Sequence, residues 1–237
     1  MFFTSIYRQC RFDCGRVGMF TIGNAVMMLA FPVFSLVVAV ALNVIGVDDG
    51  VSGGLMGGIC GVSAMMTWMV GLSPAVAEES GNHRAMDGLI PVARRAQVVG
   101  RFLFLLLSCA LWAVDVMVCS AAFVAMGEVP DIGWSVVVSV GASVFALGVI
   151  LGSIMLACSY RFAFSQMVMV FGVAVAVIYA IVALASLLPF DWASVLYWIA
   201  DFLSAWWRTA LIVGVLCVAT YVISMAAAVL IYRNKEL

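Results

Sequence analysis

Charge is scarce in this chain: only 10% of its 237 residues are charged, it has a single histidine, and its only lysine is Lys235. So little charge cannot clothe a water-soluble domain, in which about a quarter of the residues are charged. A formal net charge of −1, with neither a basic stripe nor a basic tail, removes nucleic-acid binding from consideration. Cysteine is present at positions 10, 14, 60, 109, 119, 158 and 217, but in no pattern that carries chemistry. Cys10 and Cys14 lack a second pair or nearby histidines, so they make a poor zinc site, and the thiols are expected to pack as small apolar groups.

What is abundant is apolar length. Hydrophobic residues make up 66% of the chain, which places it among integral membrane proteins. A helix needs roughly 20 apolar residues to cross the hydrocarbon core. Stretches of that kind run over 17–47, 51–77, 102–127 (interrupted by Asp115), 132–160, 162–190 and 209–232. An all-α membrane domain covering 1–237 with six transmembrane helices is therefore expected. The first stretch follows Arg8, Arg11 and Arg16, is too long for a secretory signal and lacks a cleavage pattern, so it is expected to remain as a span. Pro32 within it predicts a kink.

Basic residues accumulate on the cytoplasmic side of membranes. With both termini cytoplasmic, ten of the eleven basic residues fall on that side and only Arg208 lies outside, while Asp48, Asp49, Glu128, Asp131, Asp191 and Asp201 fall on the opposite face. No cysteine then lies in an extracytoplasmic loop, which argues against a disulfide framework.

Two segments outside the spans have helical periodicity. In 1–16, Phe3, Ile6 and Cys10 recur on one face and Arg8 and Arg11 lie on another, as suits a helix on the cytoplasmic leaflet. In 191–208, Asp191, Ser194, Asp201, Ser204 and Arg208 share a face while Trp198, Phe202 and Trp206 stack, as in an outer interfacial or re-entrant helical hairpin before the last span. An aromatic belt that only anchors the chain accounts for the same pattern.

The loop 78–100 is the most charged part of the sequence. Met86, Leu89 and Ile90 are apolar among polar neighbours, Gly88 and Pro91 interrupt any helix, and Arg94 and Arg95 lead into the third span. A small apolar face ringed by charge has the build of a docking surface. The order Glu78-Glu79, then Leu89-Ile90-Pro91-Val92-Ala93-Arg94-Arg95, then Gln97-Val98-Val99-Gly100-Arg101-Phe102 resembles the loop after the second span in bacterial type-2 ABC transporter permeases. Six spans, cytoplasmic termini, a basic amphipathic leader and an aromatic hairpin before the last span are similar to that family as well. Ala93 departs from it, standing where the family often has serine, a good helix N-cap worth about 1 kcal/mol.

The resemblance implies half of an ABC exporter. Two permease chains, identical or different, would form the path across the cell membrane, and each loop would dock in a groove of a separate ATPase subunit. Glu78, Glu79, Arg84, Met86, Leu89, Ile90, Pro91, Arg94 and Arg95 would be the ATPase-coupling residues, with the leader helix as a brace. The chain itself would be no enzyme and hold no cofactor, ATP and magnesium being bound by the partner. In keeping with this, the sequence contains no GxxxxGK(S/T) phosphate loop.

Asp115 is the one ionisable residue deep in a span, and such a group faces either a water-filled path or a partner on another helix. Gly53, Gly57 and Gly61, with Gly54 and Gly58 beside them, permit close helix approach and are expected to pack within the chain. Three other functions compete with this one. An ion-coupled carrier calls for more charge at the midplane than Asp115 alone. An intramembrane protease of the Glu-Glu-x-x-x-Arg type is opposed by the spacing of Glu79 and Arg84 and by the placement of His83, the sole histidine, in the same loop. A structural membrane protein remains open. An apolar interior suits a lipid, an amphipathic peptide or a hydrophobic drug as cargo.

Overall fold

The computed structural model describes residues 2–17, 22–46, 54–63, 72–73, 94–125, 134–162 and 206–234, with scattered positions between 166 and 180. Regular structure among them is entirely helical. In chain order the helices are α1 (Phe2–Val17), α2 (Ile22–Ile45), α3 (Gly54–Ser63), α4 (Arg94–Ala125), α5 (Trp134–Ser159) and α6 (Trp206–Asn234). Helices are the expected solution, because lipid offers the backbone no hydrogen-bonding partner and a helix satisfies its own groups.

Among the described residues three helical stretches are long and apolar enough to cross a membrane, namely Arg94–Ala125, Trp134–Ser159 and Trp207–Arg233, while Leu29–Ile45 and Gly54–Ser63 are shorter apolar helices. At 1.5 Å per residue, the 32 residues of α4 extend about 48 Å, more than a hydrocarbon core of about 30 Å. α4 begins at Arg94, two turns before the apolar run that starts at Phe102. Those extra turns are held by tertiary contacts: Tyr232 of α6 donates its hydroxyl to Gln97 Oε1 at 3.1 Å, and Arg94 lies over the Tyr232 ring at 5.5 Å. Asp115 therefore stands about 31 Å from the start of its helix, further than the apolar run alone suggests.

α4 is the centre of the bundle, in contact with α1, α2, α5 and α6. Its relation to each neighbour follows from paired positions. Gly152 of α5 meets Leu105 and Gly141 meets Met117, so α5 runs antiparallel to α4. Phe102 stacks edge-on against Tyr221 at 5.5 Å and Gln97 meets Tyr232, so α6 is antiparallel to α4 too. Phe31 of α2 packs edge-on against Trp112 at 6.2 Å and Ser35 reaches Cys119, so α2 runs parallel to α4. α3 returns antiparallel, its Ser63 beside Asp115 and its Cys60 near Cys119. The main core gathers Val98, Phe102, Leu105, Cys109, Val149, Leu156 and Ala228, and a second cluster joins Ala39, Leu42, Met56, Cys60, Val116, Cys119 and Phe123.

Local sequence sets the helix ends and close approaches. α2 continues through Pro32 and stops at Gly46, whose φ of +69° lets its N–H bond the Leu42 carbonyl at 2.9 Å. α1 comes so close to α4 at Gly100 that a Cβ there would lie 2.8 Å from Gln9 Cβ and 3.2 Å from the Ile6 carbonyl oxygen. Trp206, Trp207 and Arg208 form the first turn of α6, with Arg208 over the Trp207 ring at 5.3 Å; the rest of the 191–208 segment lies outside the described residues.

Phe102 is fully buried at the meeting point of α4, α5 and α6. Phe102→Ala is expected to destabilise the purified protein by about 3 kcal/mol, seen as a lowered midpoint of thermal unfolding in detergent, whereas Val118→Ala, at an exposed position of the same helix, is expected to leave it unchanged.

Candidate functional site

Two polar sites stand out on α4, one at its basic end and one deep in the span. The first begins with the arginines. Arg8 and Arg11 of α1, Arg94 and Arg95 of α4, Arg161 just past α5 and Arg233 near the end of α6 are all exposed. The helix directions bring these positions to the same end of the bundle, while Arg208 starts α6 at the other. Inside this ring Arg101 is buried, only 6% exposed, with its guanidinium 5.7 Å from the centre of the Tyr160 ring. Asp13 of α1 is fully buried and acts electrostatically on both Arg101 and Tyr160. Gln9, one turn earlier, donates through Nε2 to both Asp13 carboxylate oxygens at 3.2 and 3.3 Å. Tyr160 packs against Tyr232 with ring centres 5.4 Å apart, which ties the group to α6.

α1 therefore packs on the bundle through Gln9, Cys10, Asp13 and Cys14, where its periodicity suggested a helix lying on the cytoplasmic leaflet. Tyr7 and Phe12 are exposed. Cys10 and Cys14 pack with Phe104, as the expectation of plain packing had it. Burial pushes the Cys10 thiol up to about 12, and the neighbouring Cys14 and Asp13 push in the same direction; the Cys14 thiol is raised by burial too.

Of the residues assigned to ATPase coupling, Arg94 and Arg95 open α4 and are exposed, Arg94 against Tyr232. Glu78, Glu79, Arg84, Met86, Leu89, Ile90 and Pro91 lie outside the described residues.

The second site centres on Asp115, which is 7% exposed. Ser63 of α3 donates its hydroxyl to Asp115 Oδ2 at 2.6 Å. Ser35 of α2 donates back to the Phe31 carbonyl at 2.8 Å and also reaches Cys119. Cys60 feels the charge of Asp115. Small polar groups from α2 and α3 thus form a short belt along this stretch of α4, Ser63 bonded to the Asp115 carboxylate and Ser35 reaching Cys119 one turn on. The sequence placed Asp115 in a span and offered a hydroxyl on another helix as one of its two partners, which Ser63 supplies; it did not single out Ser63, since a serine in a glycine-rich apolar run carries no signal of its own.

The glycines of α3 differ from expectation. A Cβ built at Gly54, Gly57, Gly58 or Gly61 meets nothing within 4 Å, so the ridge is not a packing seam among the described residues. α3 docks instead through Met56, Cys60 and Ser63, a stripe at helical spacing. The space over Gly54 and Gly58, between Phe31 and Phe34 of α2 and Leu55, Ile59 and Val62 of α3, is an apolar groove of about 270 Å³. Its lining suits an aliphatic or aromatic surface and offers no polar specificity.

Ser63→Ala removes the donor to a buried carboxylate and is expected to cost about 1–3 kcal/mol. Combined with Asp115→Asn the loss should be smaller than the sum, because the charge needing that donor is gone; thermal unfolding of the four proteins completes the cycle. The raised Cys10 thiol holds little thiolate at neutral pH, so its alkylation in intact protein should keep rising beyond pH 10, where an exposed thiol with an ordinary value near 8.5 has levelled off. No family model, curated protein or solved structure matches this chain.

Proposed function

We propose that this chain is the transmembrane permease subunit of an ATP-driven ABC exporter in the cytoplasmic membrane, working with a separate ATPase subunit and a second permease chain. The observation that carries the reading is the head of α4. Arg94 and Arg95, the last residues of the Leu-Ile-Pro-Val-Ala-Arg-Arg motif, are exposed at the start of the helix around which the bundle is packed. A partner pressing on the 78–93 loop would act directly on that helix.

Further support comes from the arginines. Six exposed ones gather at one end of the bundle, and basic residues mark the cytoplasmic side, where an ATPase subunit would have to bind. α5 and α6 both run antiparallel to α4, so the start of α4 and the ends of α5 and α6 share the end that carries the exposed arginines, which supports a cytoplasmic placing of that end. In this reading Glu78, Glu79, Arg84, Arg94 and Arg95 orient the ATPase and set its register, while Met86, Leu89, Ile90 and Pro91 supply the buried contact. ATP and magnesium belong to the partner. The apolar groove between α2 and α3 and the Asp115 belt suit a hydrophobic or amphipathic cargo.

The test is co-purification from native membranes solubilised in mild detergent. A P-loop ATPase should accompany the wild-type chain and be lost from Leu89→Asp and Arg94→Glu at unchanged permease levels. If no ATPase appears, the exporter reading is wrong. If it appears and survives both substitutions, the loop is not the coupling element. An ion-coupled carrier is the second reading, favoured only by Asp115; transport that persists without ATP and is abolished by Asp115→Asn would establish it.

A further inference from the structure

Asp13, the only acid of α1, is fully buried, while the face that this helix turns away from the bundle carries Tyr7, Arg8, Arg11 and Phe12, all exposed. Helical spacing interleaves them, since Tyr7 stands one turn from Arg11 and Arg8 one turn from Phe12. The face is therefore cationic and aromatic, with no carboxylate of α1 on it. Two large rings left 63% and 52% exposed beside two guanidinium groups call for an amphipathic surrounding.

The height of this face is fixed by α4. Gln9 and the Ile6 carbonyl lie over Gly100, and Cys10 and Cys14 pack with Phe104, so α1 runs beside α4 in the same direction and its Tyr7–Phe12 stretch is level with residues 100–104. The apolar run of α4 begins at that level with Phe102, and Leu103 and Leu107 are exposed on it, as befits contact with lipid tails. Arg94 and Arg95 stand about two turns further out. The outward face of α1 thus lies at the boundary between hydrocarbon and headgroups, where aromatic rings collect and arginine reaches phosphate.

We infer that this face of α1 is a binding site for anionic phospholipid, with Arg8 and Arg11 holding the phosphate headgroup and Tyr7 and Phe12 lying at the top of the acyl chains.

A guanidinium pairs with phosphate through two parallel hydrogen bonds, which an ammonium cannot reproduce. A zwitterionic lipid brings its own ammonium to the same place, so two arginines without an acid beside them favour a lipid that carries net negative charge. An acidic protein is the other occupant such charge admits. It would dock at the outermost end of the bundle, where Arg94 and Arg95 stand, and not level with exposed leucines. The inference requires neither an ATPase nor a cargo: it stands if no ATPase co-purifies, and it can fail while the exporter reading holds.

The experiment takes the purified full chain, reconstituted in vesicles of phosphatidylcholine and phosphatidylglycerol in equal amounts, extracts it in mild detergent and counts the retained lipids by native mass spectrometry. Wild type should retain phosphatidylglycerol over phosphatidylcholine by about fivefold or more, the gain expected of one arginine at headgroup level. Arg8→Gln combined with Arg11→Gln should bring the ratio close to unity, and Arg8→Lys with Arg11→Lys should restore part of it through charge alone. Arg233→Gln, at the same end of the bundle but on α6, should leave the ratio at the wild-type value. Because Arg8 and Arg11 are exposed, the glutamine variant should unfold at the wild-type midpoint in phosphatidylcholine alone, which separates lost lipid from lost fold. No preference in wild type, a preference that survives the double glutamine change, or an equal fall with Arg233→Gln would overturn the inference. Release of a co-purifying protein by the glutamine change, at an unchanged lipid ratio, would overturn it too, because the face would then dock protein and not lipid.

Discussion

A guanidinium buried at the edge of an apolar bundle is the constraint around which the basic end is arranged. Arg101 cannot lose its charge, so its surroundings must accommodate it: the Tyr160 ring at the end of α5 lies beside it, Asp13 on α1 is buried where its charge acts on it, and Tyr232 on α6 closes over Tyr160 and Gln97. Four helices thus converge on one side chain, and their common level is set there.

The same helix solves a second electrostatic problem deeper in. Asp115 is held by Ser63 at 2.6 Å, and that contact docks the short α3 against α4. That site fastens a peripheral element to the central helix through a polar contact where apolar contact alone would not discriminate. In lipid the tails are as apolar as leucine, so apolar matching favours no particular neighbour and a polar pair can specify one. Glycine plays a complementary part at Gly100, where the absence of a Cβ allows α1 within reach of Arg101.

In the exporter reading proposed above, the two sites divide the bundle by function. The basic end holds the exposed arginines and the head of α4, where a partner from the cytoplasm would act. The middle holds the carboxylate belt and the open groove of α2 and α3, where an apolar cargo would meet the protein. α4 joins them as one continuous helix, so displacement at Arg94 would be carried to Asp115 without an intervening hinge.

Much of this was legible in the sequence. Apolar length determined that α4, α5 and α6 can cross a membrane, because spanning is a property of a single segment and its composition. The mixed charges of 78–100 marked the approach to α4, and Asp115 announced itself as the only acid deep in a span. Tertiary structure alone decided that α4 is central, that Asp13 and Arg101 are both buried at the basic end, that Ser63 serves Asp115, and that the glycine face of α3 meets no neighbour among the described residues. Those are properties of pairs of helices. Along one helix in lipid, the residues facing a neighbour and those facing the tails are equally apolar, so periodicity in the sequence cannot tell the two faces apart. α1 illustrates the limit: its periodicity suggested a helix on the cytoplasmic leaflet, and the structure packs its Gln9, Cys10, Asp13 and Cys14 face against α4.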